Sequence, residues 1–209
     1  ARAIGGHFVK VDVTSEESVS NGLDAAEAWA GRPARILVNC AGIVIGSKTV
    51  GRQGPHPLDG FEKVIKINLI GTFNCTRLAA ARMADAEPLA CGDRGVVINT
   101  ASVAAFDGQM GQAAYSASKA AIAGMTLPIA RDLSSSAVRI CAIAPGIFMT
   151  PMMAGMPDHV QQSLAESVPY PQRLGDPTEF AKLAAHIVDS QYMNGETIRI
   201  DGAIRLAPR

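Results

Sequence analysis

The chain has 209 residues, of which 48% are hydrophobic and 18% charged, and its formal net charge at pH 7 is zero. That length and composition suit one domain with a sizeable core and exclude a disordered chain. The balanced charge provides no basic surface for nucleic acid or an anionic membrane, and no apolar run reaches the ~18 residues that a membrane span requires.

The first half of the chain alternates predicted strands with predicted helices. Residues 7–13 show the apolar alternation of a strand. Thr14 and Glu17 have the spacing of a capping box, which indicates a helix from there to about residue 30. Further along, the pattern predicts a strand, a loop with glycines and prolines, and a long helix at residues 35–39, 47–57 and 58–83.

The second half continues this alternation. The pattern predicts strands at residues 95–100, 138–144 and 197–200, and helices at residues 112–133 and 178–189. The strands are almost wholly apolar, which is typical of a parallel sheet covered by helices on both faces. This order predicts an α/β fold with a doubly wound parallel sheet, in which the active site lies at the carboxyl ends of the strands.

A candidate catalytic pair lies in the predicted helix at residues 112–133. Tyr115 and Lys119 are four residues apart and share one helix face, where an ammonium group favours the phenolate. A free tyrosine titrates near about 10, and a lower pKa would make the phenol a general acid/base at neutral pH. Ser102 could hold the substrate oxygen. The alternative for such a pair is a surface tyrosine beside a solvated lysine.

The cysteines and histidines of the chain indicate no metal site. Four residues of each type occur, and neither set has the spacing of metal ligands. Cys40 and Cys141 lie in apolar, strand-like stretches, which predicts small buried side chains. The simplest interpretation is a reducing compartment, namely the cytoplasm, or the mitochondrial matrix if a targeting segment precedes Ala1.

Several motifs occur in a particular order along the chain: Asn39-Cys40-Ala41-Gly42, Asn68, Ser102, Tyr115 with Lys119, and Pro145-Gly146 with Thr150. In type and order they resemble the motifs of the short-chain dehydrogenase/reductase family, which has a Rossmann-like fold. Segments 99–106, 111–115, 124–132 and 194–203 further resemble the 3-hydroxyacyl-CoA dehydrogenases of that family. The resemblance covers nearly all of the chain, and we interpret residues 1–209 as a single domain of this kind.

The resemblance implies hydride transfer between NAD(H) and a 3-hydroxyacyl-CoA or 3-oxoacyl-CoA, with hydroxysteroids as further substrates, in a homotetramer or dimer. Tyr115 would be the acid/base, and Lys119 would lower its pKa and bind the nicotinamide ribose. Ser102 would hold the substrate oxygen and stabilise developing charge. Asn68 would interrupt its helix and anchor a water near Lys119; the alternative is a mid-helix asparagine that faces solvent.

The resemblance also implies a set of cofactor-binding residues. Asp12 and Val13 would meet the adenine, although Asp12 could equally be part of the cap of the following helix. Asn39, Ala41 and Gly42 would lie beneath the cofactor, where side chains must be small. Pro145, Gly146 and Thr150 would flank the nicotinamide, and Tyr115 and Lys119 would also contact the cofactor.

The substrate-binding residues are predicted from composition. Four of the eight methionines fall within eight residues, at Met149, Met152, Met153 and Met156. Methionine adapts to apolar ligands of varied shape, so this cluster predicts a lid over a fatty acyl chain or a steroid; the alternative is a core helix filled with methionine. Gln112, between Ser102 and Tyr115, could also contact the substrate.

The family begins with a strand and a glycine-rich turn that packs the pyrophosphate against a helix N-terminus, and this chain has no such motif. We therefore expect an N-terminally incomplete domain that starts near the third strand of the family. The residue that selects NAD over NADP normally follows the second strand, so NADP remains open beside NAD. Two other functions also remain open, an NADPH-dependent 3-oxoacyl-thioester reductase and a truncated, non-catalytic oligomerising subunit.

Overall fold

Four parallel strands form the central sheet. The computed structural model describes residues 4–208, apart from the side chain of Met152. In chain order the strands are β1 (Ile36–Asn39), β2 (Val50–Gly51), β3 (Gly54–Pro55), β4 (Gly95–Thr100), β5 (Val138–Pro145) and β6 (Thr197–Ile200). The central sheet has the spatial order β1-β4-β5-β6 with all neighbours parallel, whereas β2 and β3 form a small antiparallel hairpin. The parallel pairing places the carboxyl ends of the four strands along one edge.

Helices connect these strands. They are α1 (Glu16–Ala30), α2 (Leu58–Val64), α3 (Gly71–Asp85), α4 (Ala113–Asp132), α5 (Pro151–Ala154), α6 (Asp158–Glu166) and α7 (Pro177–Asp189). A π-helical segment, Ile65–Ile70, joins α2 to α3, so the long helix predicted at residues 58–83 is one rod with an irregular turn in its middle. Within residues 4–208, no helix is long and apolar enough to cross a membrane.

The core lies on both faces of the sheet. Val97 of β4 packs with Met83 of α3 and Ala130 of α4, whereas its neighbour Ile98 packs on the opposite face with Ile187 of α7. Successive side chains of a strand point to opposite faces, so a strand that is apolar at every position needs cover on both sides. The predicted α/β fold with a helix-covered parallel sheet is confirmed.

The predicted strand at residues 7–13 is wrong. This segment belongs to neither sheet, and most of its side chains are exposed. A strand requires a neighbouring strand for its backbone groups, and here side chains bind two of them instead. The Asp12 N–H donates to Ser18 Oγ at 2.9 Å, and Asn74 Nδ2 donates to the Val13 carbonyl at 3.0 Å.

The predicted capping box at Thr14 and Glu17 is also wrong. The N-cap of α1 is Ser15, whose hydroxyl accepts from the Ser18 N–H at 3.2 Å. The Thr14 N–H and hydroxyl both donate to Asp12 Oδ1, at 2.9 and 2.8 Å. Because Asp12 closes this turn, Thr14 cannot occupy the cap position, and the helix starts one residue later.

Candidate active site

An open groove of about 610 Å³ lies at the carboxyl ends of β4 and β5. Its lining is mainly apolar, with a small number of polar groups that include Ser102 and Tyr115. Such a combination is typical of sites that bind small organic ligands. The α/β topology therefore brings the predicted catalytic residues to the sheet edge at which they were expected.

Ser102 and Tyr115 reach the groove from two adjoining elements. Ser102 follows the end of β4 in an extended conformation and caps a short 3-10 turn, Val103–Ala105, by accepting from the Ala104 N–H at 3.1 Å. Tyr115 lies in the first turn of α4. Burial raises the pKa of the Tyr115 phenol, and the Ser102 hydroxyl opposes that effect in part. The phenol is therefore protonated at neutral pH in the free groove.

Lys119 lies one turn after Tyr115 and is only 5% exposed. Its Nζ donates to the Thr100 carbonyl at 2.6 Å and lies 5.8 Å from the centroid of the Tyr115 ring. Burial lowers the pKa of this ammonium group to about 8, although Cys40 acts in the opposite direction. The net pKa of Tyr115 is therefore raised, because burial of the phenol dominates, and the lowering by Lys119 that the sequence suggests stays a prediction.

Asn68 ties the loop after β1 to helix α4. It is fully buried within the π-helical segment, so the alternative of a solvent-facing asparagine is wrong. Its Oδ1 accepts from the Ile43 N–H at 2.8 Å, and its Nδ2 donates to the Ile43 carbonyl at 2.9 Å and to Ser118 Oγ at 3.1 Å. Ser118 precedes Lys119, so these bonds hold the loop against the turn of helix that carries the lysine.

Small residues surround the lysine and the end of β5. A Cβ at Gly42 would lie 3.7 Å from Lys119 Nζ and 3.4 Å from Asn68 Oδ1, so glycine leaves the ammonium group open on that side. A Cβ at Gly146 would lie 2.9 Å from the Asp201 backbone, too close for any other residue without a shift of the chain. Pro145, Gly146 and Thr150 all line the groove.

The Asn39 side chain points away from the groove. Its Nδ2 donates to Asn99 Oδ1 at 2.8 Å and to Thr76 Oγ1 at 3.2 Å, within the layer between the sheet and α3. Ala41 is exposed, and so is Cys40, which lines the groove. The prediction that Cys40 is buried is wrong, because β1 ends at Asn39 and the exposed Cys40 side chain lines the groove beside the end of β4, with its Sγ 3.8 Å from Thr100 Oγ1.

Asp12 and Val13 do not line the groove. They lie in the loop before α1, and the Val13 side chain packs where Gly71 of α3 has no Cβ. Hydrogen bonds from the Thr14 backbone and hydroxyl lower the pKa of the exposed Asp12 carboxyl. These contacts support the reading of Asp12 as part of the turn that leads into the helix.

The methionine cluster divides between two cavities. Met153 and Met156 line the groove with Gln112. Met149 does not line the groove but faces a second cleft of about 600 Å³, which Gln161 and Ala165 of α6 also line. The side chain of Met152 lies outside the described part of the structure. None of the three described methionines is buried, so the alternative of a methionine-filled core helix is wrong.

The sequence patterns missed several residues of the groove, among them Cys40, Phe180 and Leu206. The position of Cys40, directly after a strand, was a usable signal, because ligands bind at the carboxyl ends of strands. Phe180 comes from α7 and Leu206 from the segment after β6. Neither has a local motif, since tertiary packing alone brings them to the groove.

Comparisons with known proteins agree with this geometry. The family model described as Enoyl-(Acyl carrier protein) reductase matches residues 1–204. The 3-hydroxyacyl-CoA dehydrogenase type-2 of Drosophila melanogaster is 56% identical over 203 residues, which are 96% of this chain and 79% of that protein. The human protein of the same name is 53% identical over 96% of this chain and 77% of its own length.

A solved structure gives the same result. The crystal structure of 3-hydroxyacyl-CoA dehydrogenase type-2 from Mycobacterium avium superposes with a TM-score of 0.94 at 42% sequence identity. The match covers 100% of this chain and 82% of that chain.

Proposed function

The chain belongs to the short-chain dehydrogenase/reductase family of oxidoreductases, and we propose that within this family it is an NAD-dependent 3-hydroxyacyl-CoA dehydrogenase. The observation that carries the proposal is the groove in which Ser102 and Tyr115 face the same space above the buried Lys119. Relatives at 51–56% identity are named for this activity.

The residues of the groove fit a nicotinamide cofactor, which the family implies. Gly42 leaves one side of Lys119 Nζ uncovered, and Lys119 has further N–H groups beyond the one that binds Thr100. Thr150 lies in the same groove as Pro145 and Gly146. Lys119 would hold the ribose and Thr150 the carboxamide. When bound, the cofactor supplies the carbon that accepts or donates a hydride.

The chain itself supplies the proton transfer. Ser102 and Tyr115 would both hydrogen-bond the oxygen on C3 of the substrate, so that it is fixed while its carbon reacts. As the phenolate, Tyr115 receives the hydroxyl proton during oxidation, and as the phenol it returns that proton during reduction. Its raised pKa keeps the phenol protonated in the free groove, which suits the acid role. The base role requires positive charge nearby, and Lys119 is the cation closest along this helix face.

The lining of the groove supports an acyl substrate. Its wall beyond Ser102 and Tyr115 is built from apolar side chains, among them Met153, Met156 and Phe180. Burial of each methylene group of an acyl chain against such a wall contributes about 0.8 kcal/mol.

We further propose that the protein assembles as a dimer or tetramer through α3, α4 and the C-terminal segment. Phe73 on α3 and Leu127 on α4 are large apolar side chains that are about half exposed, as expected for helices that another subunit covers. Sedimentation velocity tests this assembly, and a purely monomeric profile would contradict it.

All four cysteines are free thiols, which supports a reducing compartment such as the cytoplasm or the mitochondrial matrix.

The experiment that tests the proposed function combines a substrate assay with Tyr115→Phe. Oxidation of 3-hydroxybutyryl-CoA is followed by NADH formation, with NADP in parallel. We expect Tyr115→Phe to retain NADH affinity and to lose at least about a hundredfold in turnover, the scale of general acid/base catalysis.

The matched control is Tyr192→Phe, because Tyr192 is fully exposed and does not line the groove; it should retain wild-type turnover. Near-normal turnover of Tyr115→Phe would contradict the assignment of the acid/base. A clear preference for NADP would replace NAD and favour the reductase alternative.

A further inference from the structure

The segment after β6 runs back over the groove and is fixed at both of its ends. We call residues 204–208 the C-terminal strap. At its start, Ile204 is 2% exposed, and its N–H donates to the Asp201 carbonyl at 3.1 Å. At its other end, the Met110 N–H donates to the Pro208 carbonyl at 3.0 Å, and Gln109 Nε2 donates to the Ala207 carbonyl at 3.0 Å.

Arg199 of β6 holds the start of the strap through hydrogen bonds and ion pairs. Its Nη2 donates to the Ile204 carbonyl at 3.1 Å and to Asp107 Oδ2 at 2.8 Å, while its Nε donates to Asp201 Oδ2 at 2.7 Å. The guanidinium group also lies 5.3 Å from the centroid of the Phe106 ring. Charge-assisted bonds from a planar guanidinium group impose a defined geometry.

The same arginine ties the strap to the catalytic turn. Asp107 follows the short 3-10 turn that Ser102 caps, and its N–H donates to the Val103 carbonyl at 2.9 Å. The ion pairs of Arg199 therefore connect the two walls of the groove, one with Ser102 and one with the strap. The distance between these walls is set by charged groups that are largely shielded from solvent.

Leu206 lies between the two anchored ends of the strap. Its side chain is half-buried and lines the groove together with Ser102, Gln112 and Tyr115. Because the backbone is held on both sides, this side chain cannot retreat far when a ligand enters. A fixed apolar side chain beside the reacting groups limits the size of what binds there.

We propose that Leu206 is a specificity-determining residue, whose side chain sets how long an acyl group the groove accepts. The inference rests on the proposed function, since it takes an acyl-CoA as substrate. A difference of one methylene group in an apolar pocket changes kcat/KM by about 10- to 200-fold. A change at Leu206 should therefore alter the ratio between short and long substrates rather than the activity as a whole.

The first test compares kcat/KM for 3-hydroxydecanoyl-CoA and 3-hydroxybutyryl-CoA. We expect Leu206→Ala to raise the ratio of long to short substrate at least about tenfold and Leu206→Trp to lower it by a similar factor. The control is Leu89→Ala, an exposed leucine in the loop before β4, which should leave the ratio unchanged. Ratios within about twofold of the wild type in both Leu206 variants, or an equal loss for both substrates, would overturn the inference.

The second test measures binding without turnover. The only tryptophan of the chain, Trp29, is exposed and stacks on His7 away from the groove. In a Trp29→Phe background, Leu206→Trp introduces a single indole into the strap. Saturating octanoyl-CoA should change its emission, whereas the same ligand should leave the emission of a Trp29→Phe, Leu89→Trp protein unchanged.

The outcomes separate this inference from the proposed function. If octanoyl-CoA changes the indole emission but no dehydrogenation occurs, the proposed function is wrong, whereas the contact between residue 206 and the acyl-CoA, on which the inference depends, is supported. If the wild type turns over acyl-CoA and the ratios and emission do not respond to changes at Leu206, only the inference is overturned. If calorimetry detects no acyl-CoA binding at all, both are overturned.

Discussion

Two buried cations lie at opposite edges of the central sheet, and they differ in how many hydrogen-bond acceptors the protein provides for each. Arg139, near the start of β5, is 6% exposed and donates to Asp93 and to four carbonyl groups around the end of α7. Lys119 of α4, whose side chain reaches the end of β4, is equally buried. Within the described residues, however, its one acceptor is the Thr100 carbonyl. The pKa of Lys119 is lowered to about 8 as a result of its burial.

This difference in hydrogen bonding indicates a structural role for Arg139 and a ligand-binding role for Lys119. A buried charge is tolerated when hydrogen bonds replace its lost hydration, and Arg139 meets that condition through the full fork of its guanidinium group. Lys119 retains N–H groups that no described residue accepts, so it keeps capacity for a ligand. At the amino-terminal edge of the sheet, protein groups thus accept the hydrogen bonds of the buried cation. At the carboxyl edge, the buried cation keeps N–H groups that a ligand can bind.

Replacement of the saturated cation should have the largest effect on stability. Arg139→Met leaves Asp93 and several carbonyl groups of the α7 terminus without a partner, and we expect the free energy of unfolding to fall by about 3–5 kcal/mol. Urea unfolding measures this change. Arg32→Met, at an exposed arginine after α1, is the control and should stay within about 0.5 kcal/mol of the wild type. A loss below about 1 kcal/mol for Arg139→Met would mean that these bonds contribute little.

Replacement of Lys119, the cation with few hydrogen bonds, should raise the free energy of unfolding rather than lower it. Lys119→Met removes a charge that is costly to bury and retains most of the volume, so we expect the free energy of unfolding of the ligand-free protein to rise by about 1–3 kcal/mol. Turnover should be lost at the same time. Lys182→Met, at an exposed position of α7, should change neither. If Lys119→Met lowers stability instead, the comparison between the two cations is wrong.

The pH dependence of the free energy of unfolding is a further test of the incompletely bonded Lys119. Between pH 8 and 10.5 the unfolded chain holds a proton on Lys119 that the folded chain has released, so the free energy of unfolding rises with pH in this interval. The stability gap between Lys119→Met and the wild type should therefore be widest below pH 8 and narrow by about 2–3 kcal/mol as the pH increases towards 10. Unfolding curves of both proteins at several pH values measure the gap; a constant gap would place the lysine pKa near its ordinary value.

Periodicity and apolar content were sufficient to predict the sheet and its helices. β4 and β5 are apolar at nearly every position, which only a strand covered on both faces can satisfy. Tyr115 and Lys119 could be placed on one helix face by their spacing alone, and the end of β4 located Ser102. These features depend on local rules that a sequence carries directly.

The remaining features depend on contacts between distant parts of the chain. Residues 7–13 have a strand pattern, but a strand forms only where another strand pairs with it. The burial of Asn68 depends on Ile43 and Ser118, and the position of Leu206 depends on Gln109 and Met110. Arg139 could not be recognised as buried because its five acceptors come from two distant parts of the chain, namely Asp93 and residues 187–193.

The most direct test of the central claim follows the hydride itself. The protein is incubated with NAD and 3-hydroxybutyryl-CoA that carries deuterium on C3, and the NADH formed is analysed by mass spectrometry. The account predicts NADH that is one mass unit heavier, formed by the wild type and reduced at least about a hundredfold by Ser102→Ala. Unlabelled NADH, or labelled NADH formed equally well by Ser102→Ala, would contradict hydride transfer at this groove.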